Sequence, residues 1–211
     1  MNIEEGIILI HKPRGRSSFS MVAQVRRLSG IKKVGHAGTL DPEAEGLLIV
    51  LVGKDYTKQS DSYLKLDKTY EFTLKLGENS DTGDEEGEKT VISASKPTQK
   101  AILDVLGGFK GEIEQVPPQY SAIKVDGVRA YKRARRGETI EIQPRKVTIS
   151  RLELVKYSYP YLTLVADVSS GTYIRSLGED IGSKLGTGAY CTQIIRTRIG
   201  NNDLKDAITL D

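Results

Sequence analysis

The sequence is most informative where a turn-rich segment leads directly into an apolar one. Residues 35–46 read GHAGTLDPEAEG, and residues 46–52 read GLLIVLV. A continuous apolar run bounded by glycines predicts a fully buried strand. Asp41 lies on the turn just before that strand. A carboxylate that the backbone holds at this position suits a nucleophile or a general base. The alternative is a turn aspartate that caps neighbouring N–H groups.

Periodic patterns elsewhere in the chain predict both strands and helices. Strands are predicted at residues 6–11, 46–52, 68–76 and 162–168, and helices from Ser17 or Ser18 to Gly30, from Thr98 to Leu106, and over residues 174–185. Because strands outnumber helices and several of them alternate, we expect an α+β fold. Its mixed sheet is expected to be packed by helices on one side.

Composition restricts the class of protein. The chain has 211 residues, which favours one domain, and 38% hydrophobic with 28% charged residues is ordinary for a globular protein. One cysteine, Cys191, excludes an intramolecular disulfide, and with only two histidines any metal site would have to use carboxylates. The sequence has neither an 18-residue apolar run nor a secretory leader, so it predicts a cytoplasmic protein without a membrane span.

The net charge of +3 conceals a strong segregation of charge. Residues 11–36 contain seven Lys or Arg and no acid, and residues 120–151 contain nine basic groups and three acids. Residues 77–88 hold six acids and no base. Segregated positive charge is typical of a protein that binds a polyanion, although such runs also occur on ordinary solvated faces. We expect the acidic segment to face away from RNA, or to use Asp81 and Asp84 to cap its own loop.

Six ordered segments carry longer motifs. They are KPRGRSS at 12–18, GHAGTLDP at 35–42, KTY at 68–70, SDTGDEEG at 80–87, the run from PPQYSAIK to RAYKRAR at 117–135, and SGTYIR at 170–175. In this order they resemble the motifs of the TruB-type pseudouridine synthases. Two positions depart from the family pattern: Ser17 stands where threonine is usual, and Ile195 replaces the first arginine of the family's LRRT motif, which is followed here by Arg196.

The resemblance implies the pseudouridine synthase fold, with a mixed, mainly antiparallel sheet flanked by helices. It implies one catalytic domain over residues 1–211 and a thumb-like RNA-binding insertion at about residues 119–146. Longer family members continue into a PUA domain, for which we expect no room in this chain. It also implies isomerisation of uridine to pseudouridine at position 55, in the T-loop of tRNA.

The resemblance assigns candidate site residues. Asp41 corresponds to the catalytic aspartate and Arg175 to its arginine partner. Tyr70 corresponds to the tyrosine that stacks on the flipped base and assists proton removal from C5, although on an alternating strand it could simply be a core aromatic. Candidate RNA-binding residues are Lys12, His36, Gly38, Thr39, Leu40, Tyr173, Lys124, Arg129, Arg135 and Arg196.

The expected partner is the T-arm stem-loop of tRNA, bound by a monomer that needs no cofactor and no metal. Two alternatives stay open at this point. One is a guide-RNA-dependent synthase acting inside a ribonucleoprotein. The other is an RNA-folding chaperone in which catalysis is secondary or lost, although Asp41, Tyr70 and Arg175 argue against its loss.

Overall fold

The computed structural model describes residues 3–121, 123–125, 127–134, 136–138 and 140–210, and for Lys124 only the backbone. The chain divides into two units, one formed by Met1–Glu71 with Ile194–Asp211 and the other by Phe72–Gln193. Whether the two act as the single catalytic domain that the motifs imply stays a prediction.

In chain order, the first unit has strands before and after its long helix. Its elements are β1 (Gly6–Lys12), α1 (Ser18–Ser29), β2 (Val34–His36), β3 (Glu45–Val52), α2 (Lys54–Thr57), α3 (Ser60–Leu64), the first residues of β4 (Lys68–Leu76), the end of the later strand Ala189–Ile199, the strand Asn202–Asp203 and a 3₁₀ turn at Leu204–Asp206. Strands β1 and β2 both pair antiparallel with β3. The strands predicted at 6–11, 46–52 and 68–76 correspond to β1, β3 and β4 and are confirmed.

Strand β3 is buried on both faces. Leu48, Val50 and Val52 pack in one cluster with Met21 and Val25 of α1. On the other face, Leu47, Ile49 and Leu51 form a second cluster, with Tyr56 of α2 and Tyr63 of α3 packed against it. The expectation of helices on one side is wrong for this unit, since helices cover both faces. This burial explains why the sequence of β3 is continuously apolar rather than alternating.

Helix α1 begins and ends as its sequence predicts. Ser17 is the N-cap, and its side chain accepts a hydrogen bond from the backbone N–H of Ser20. Gly30 ends the helix in the left-handed conformation, with φ of 69°.

The second unit contains the longest strand. Its elements are the rest of β4, β5 (Glu78–Ser80), β6 (Lys89–Val91), α4 (Gln99–Gly107), β7 (Gly111–Gln115), β8 (Lys124–Val125), β9 (Val128–Arg129), α5 (Ala130–Ala134), β10 (Arg145–Ser158), β11 (Tyr161–Val168), α6 (Ile174–Lys184) and the first residues of β12 (Ala189–Ile199). The strand Asn202–Asp203 is β13 and pairs with β12. The strand order is β12-β4-β11-β10-β7 in this unit and β1-β3-β12-β4 in the first.

Pairing in the sheet is mixed. Strand β12 runs parallel to β3, whereas β10 is antiparallel to both β11 and β7. The predicted mixed α+β sheet is confirmed. Strand β10 escapes detection in the sequence because its register against β11 shifts after Ile149 and again after Leu154. Such irregularities break the alternation of apolar and polar residues that reveals a strand.

The basic insertion at 119–146 builds a small core of its own. Ala130, Ile140 and Ile142 are buried together, with Val125 packed against them. Gln119 closes its base, because the side-chain amide donates to the carbonyl of Ile140 at 3.1 Å and accepts from its N–H at 3.2 Å. This segment therefore has internal structure rather than being only a solvated loop.

Two aspartates of the acidic segment, residues 77–88, close its own loop. This is one of the two arrangements that we expected from the sequence. The Oδ1 atom of Asp81 accepts from the N–H of Glu88 at 2.9 Å. The Oδ1 atom of Asp84 accepts from the N–H of Glu86 at 3.1 Å. These bonds close the turn between β5 and β6.

Candidate active site

Asp41 lies on a tight turn between β2 and β3, within residues 37–44, which we call the Asp41 loop. The loop starts where Ala37 N–H donates to the carbonyl of Ile49 at 2.9 Å. It ends in a turn in which Ala44 N–H donates to the carbonyl of Asp41 at 3.2 Å. Asp41 is a half-buried residue of the first unit. The predicted position of this carboxylate, on a turn just before a buried strand, is confirmed.

Helix α1 and the segment just before it hold the residues on either side of Asp41. The Oγ of Ser18 accepts from the N–H of Leu40 at 2.8 Å and donates to the carbonyl of Leu40 at 3.0 Å. Just before the helix, the N–H of Gly15 donates to the carbonyl of Pro42 at 2.8 Å. The backbone is thus fixed immediately before and after Asp41, as a reacting carboxylate requires.

Lys12, at the end of β1, is completely buried beside this loop. Its Nζ donates to the carbonyls of Pro13 at 2.9 Å, Arg16 at 2.6 Å and Pro42 at 3.2 Å. Burial lowers the pKa of Lys12 to about 8, although the negative charge of Asp41 opposes the shift. In this structure all three donors of the Lys12 ammonium are used on backbone carbonyls, and its RNA contact stays a prediction.

Arg196, on β12, lies beneath the Asp41 loop and is only 1% exposed. Its Nε donates to the carbonyl of Leu47 at 2.8 Å, Nη2 to Gly38 at 3.0 Å and Nη1 to Thr39 at 3.4 Å. In this structure the guanidinium of Arg196 binds backbone carbonyls of the loop, and its RNA contact stays a prediction. The parallel pairing of β12 with β3 aims its side chain under the loop.

A glycine makes this pairing possible. Gly46 is opposite Arg196 in the parallel register, with φ of 111°. A Cβ at this position would lie 2.4 Å from the backbone oxygen of Arg196. Only glycine permits the approach of β12 that places the Arg196 guanidinium under the loop.

His36 stands at the entrance to the same loop and is half-buried. Its Nδ1 is buried and has no hydrogen-bond partner among the residues that the structure describes. Burial lowers the pKa of His36, and the nearby Arg196 lowers it further. The imidazole is therefore neutral at pH 7, and it can exchange hydrogen bonds but not attract phosphate by charge.

The other candidate residues of the first unit differ in exposure. Thr39 is exposed and Gly38 half-buried, whereas Leu40 is buried. Tyr70, on β4, is 8% exposed. The unit thus brings Asp41, Lys12, His36 and Arg196 together, with Thr39 as the accessible part of the loop.

Arg175, on the first turn of α6 in the second unit, is also buried. Its Nη1 donates to the carbonyl of Thr82 at 2.7 Å, and its Nη2 donates to that of Tyr120 at 2.8 Å. An ion pair with Asp84 joins Nη1 to Oδ2 at 3.6 Å. These contacts anchor the guanidinium to the acidic segment and to the start of the insertion. The pairing of Arg175 with Asp41 stays a prediction.

Glu179 lies one helical turn after Arg175, and the sequence reasoning missed it. Burial raises the pKa of Glu179 to about 7, with Arg175 opposing the shift and the charges of Asp180 and Asp84 adding to it. Its carboxylate packs so closely on Gly83 that a Cβ there would lie 2.7 Å from Oε1. The signal in the sequence is the i, i+4 spacing from Arg175, which puts both side chains on one helix face.

Replacing Glu179 with Gln should raise stability at alkaline pH. The raised pKa means that the folded protein resists ionising this carboxyl, so wild-type stability falls as the pH rises from 4.5 through about 7. One pKa unit corresponds to about 1.4 kcal/mol. The free energy of unfolding of Glu179→Gln should therefore exceed that of the wild type by about 3 kcal/mol at pH 9 and by little at pH 4.5.

Urea unfolding at both pH values measures the difference. Glu141→Gln, at an exposed position of the insertion, controls for the loss of one carboxylate. An equal stability difference at both pH values would contradict the buried ionisation.

Tyr173 precedes α6 and is fixed through its backbone. The side chain of Gln115 accepts from its N–H at 2.8 Å and donates to its carbonyl at 3.1 Å. In the insertion, Arg129 is exposed on β9. The side chain of Lys124 and the whole of Arg135 lie outside the described residues, so their predicted contacts stay predictions.

Neither a metal cluster nor a membrane-spanning helix is found in the described part of the chain. There, no three His, Cys, Asp or Glu side chains are placed to hold a metal ion. No helix within the described ranges is long and apolar enough to cross a membrane.

Comparison with known proteins gives the family. A family model described as TruB family pseudouridylate synthase (N terminal domain) matches residues 26–174, which include the Asp41 loop, Tyr70 and the insertion. The chain belongs to the TruB family. The identification made from the sequence motifs is therefore confirmed, and the protein is a pseudouridine synthase.

Curated TruB relatives cover nearly the whole chain. The tRNA pseudouridine synthase B of Protochlamydia amoebophila (strain UWE25) is 47% identical over 196 residues, which are 93% of this chain and 74% of the relative. The protein of the same name from Chlamydia muridarum (strain MoPn / Nigg) is 44% identical over 204 residues, which are 97% of this chain and 84% of that relative.

Solved structures support the predicted fold. Cbf5 in a Cbf5–Nop10–Gar1 complex matches with a TM-score of 0.76 and 28% identity, over 100% of this chain and 54% of the solved one. An H/ACA ribonucleoprotein bound to a substrate RNA containing 2′-deoxyuridine matches with a TM-score of 0.73 and 26% identity, over 97% and 50% respectively. This TruB-family chain thus spans about half the length of those solved chains and has the pseudouridine synthase fold.

Proposed function

We propose that this protein converts uridine to pseudouridine at position 55 in the T-loop of tRNA. The observation that carries the proposal is the Asp41 loop, a half-buried carboxylate on a turn that α1, Lys12 and Arg196 hold through its backbone. It is supported by family membership and by relatives at 44–47% identity that are named tRNA pseudouridine synthase B.

The reaction is an isomerisation. The N1–C1′ bond of uridine breaks, the uracil turns, and a bond forms between C5 and the same C1′, after which C5 loses its proton and N1 gains one. The target nucleotide must leave the base stack, since its C5 and glycosidic bond are unreachable inside a folded stem-loop.

Asp41 is the proposed catalytic carboxylate. It either attacks the sugar or the base, or helps remove a sugar proton, and both routes need the ionised form. Bound RNA excludes water and would favour protonation of the carboxyl, so an arginine partner is needed to stabilise the anion. We assign that role to Arg175, whose guanidinium is already oriented by Thr82, Tyr120 and Asp84.

RNA binding is assigned to residues of both units. His36, at the entrance to the Asp41 loop, and Gly38, Thr39 and the buried Leu40 within it would hold the extruded nucleotide, and Tyr173 would shape the pocket wall. Lys124, Arg129 and Arg135 of the insertion would bind phosphates, which makes affinity strongly dependent on salt. We further propose that the enzyme acts as a cytoplasmic monomer.

Tritium release tests the function. A T-arm hairpin and a full-length tRNA, each carrying uridine labelled at C5, should both release tritium to water because C5 loses its hydrogen. A hairpin with cytidine at position 55 is the control. Release from the isolated hairpin without any guide RNA would disfavour the guided alternative. Release from neither RNA by folded protein would overturn the assignment.

Tyr70→Phe should preserve RNA binding and lower turnover by about 100-fold or more, the usual range for loss of an acid–base group. The ring remains to stack on the base, while the phenol that assists removal of the C5 proton is lost. Single-turnover tritium release measures the effect, with Tyr161→Phe, exposed on β11, as the control. Unchanged turnover would show that the Tyr70 hydroxyl takes no part in the reaction, which leaves only a packing role for this residue.

A further inference from the structure

Helix α1 presents a cationic and aromatic surface to solvent. While Met21, Val22 and Val25 face the core, the opposite side carries Phe19, which is 65% exposed, and exposed Arg26 and Arg27. Arg26 and Arg27 follow Phe19 by 7 and 8 positions, and at 3.6 residues per turn these spacings fall on one face. Arg16 precedes the N-cap Ser17, and its Nε donates to Ser20 Oγ at 3.4 Å. We call Arg16, Phe19, Arg26 and Arg27 the α1 face.

The charges of this face are not neutralised by acids. In the part of the chain that the structure describes, no carboxylate pairs with Arg16, Arg26 or Arg27. Residues 11–36 contain no acid at all. Uncompensated positive charge along one helix face is complementary to a polyanion.

The side chains of the face are arranged for an unpaired nucleotide. The guanidinium of Arg26 lies over the ring of Phe19, 5.9 Å from its centroid. Arg16 lies along the helix, with its Nη2 donating to Gln24 Oε1 at 3.2 Å. An exposed aromatic ring among cations is the usual combination for stacking a base while neighbouring phosphates are bound.

The position of the face relates it to the proposed reaction. Ser18, the first residue of α1, is hydrogen-bonded to Leu40 at 2.8 and 3.0 Å, directly beside Asp41. The helix has 12 residues and leads away from the Asp41 loop over about 18 Å. Phe19 directly follows Ser18 in the chain, so the α1 face begins next to the segment that holds Asp41.

We infer that the α1 face binds the strand of the T-arm that flanks the target uridine, with an unpaired base stacked on Phe19 and phosphates on the arginines. This inference rests on the proposed function. It adds a binding surface that none of the predicted site residues includes.

Binding of the isolated T-arm hairpin, measured by fluorescence anisotropy over a KCl series, tests the inference. Phe19→Ala should weaken binding about fivefold or more with an unchanged salt slope, because it removes stacking alone. Arg27→Glu should lower the slope of log Kd against log[KCl] by about 1, because it removes a phosphate contact.

Helix α4 supplies a matched control. Leu103 is 49% exposed there, and Lys100 is exposed and paired with Asp104. Leu103→Ala and Lys100→Glu therefore repeat the same two kinds of change on another exposed helix and should leave Kd and the salt slope at wild-type values. Circular dichroism verifies the fold of every variant.

Wild-type Kd and salt slope in both α1 variants would overturn the inference, as would weaker binding confined to full-length tRNA. Equally weakened binding in the α4 controls would also overturn it, since it would reveal a nonspecific charge effect. Failure of the proposed function is distinguishable, because in that case the wild-type protein itself would release no tritium from the hairpin.

Discussion

Asp41→Asn is expected to abolish turnover and to leave RNA binding intact. The amide keeps the shape of the side chain but can neither attack carbon nor accept a proton. We expect a loss of about 10⁴-fold or more in single-turnover tritium release, the size typical for removal of a nucleophile or its base. The Kd for the T-arm hairpin should stay within about twofold of the wild type, because Asp41 supplies no positive charge to phosphates.

The same loop offers the control for this variant. Glu43 lies two residues away, and its Oε2 accepts from Arg14 Nε at 2.7 Å. Glu43→Gln removes one carboxylate from the loop without touching the proposed chemistry, so turnover should be nearly wild-type. An active Asp41→Asn enzyme would refute the catalytic role. Loss of RNA binding together with turnover would instead indicate a structural aspartate.

Arg196→Lys is expected to lower both stability and turnover, and it separates a structural role from an RNA contact. A lysine ammonium cannot reproduce the planar fork that reaches the carbonyls of Gly38, Thr39 and Leu47. Carbonyls left buried and unpaired should cost about 3 kcal/mol of stability. Small displacement of the Asp41 loop should also reduce kcat, by up to about 100-fold.

The structural role and the RNA contact predict different changes in kcat, stability and RNA binding. A buried positioning residue should lower kcat and the melting temperature while the Kd for RNA and its salt dependence stay unchanged. Arg198→Lys is the matched control, since Arg198 is exposed two residues along the same strand and donates from Nε to Thr69 Oγ1 at 3.1 Å. If Arg196→Lys has normal kcat and stability but a smaller salt slope, the result would support the RNA contact that the sequence motif implied.

Local patterns in the sequence were sufficient for much of the fold. The apolar run of β3 and the Ser17 and Gly30 caps of α1 each depend on neighbours a few residues away, which is why they could be predicted. Strand β10 could not be, because its register shifts disrupt the alternation from which strands are inferred.

By itself, the sequence determined that Asp41 lies on a turn before a buried strand, since glycines, a proline and an apolar run specify that geometry locally. Tertiary structure alone decided what the long cationic side chains do. Lys12 and Arg196 look like phosphate ligands in the sequence, yet both are buried under the Asp41 loop. The carbonyls that Arg196 satisfies come from segments far away in the chain, 149 residues in the case of Leu47. Lys12 joins its neighbours Pro13 and Arg16 to Pro42, which lies 30 residues away. A flexible charged side chain turns inward when distant backbone acceptors converge on it, and only the folded chain brings those acceptors together.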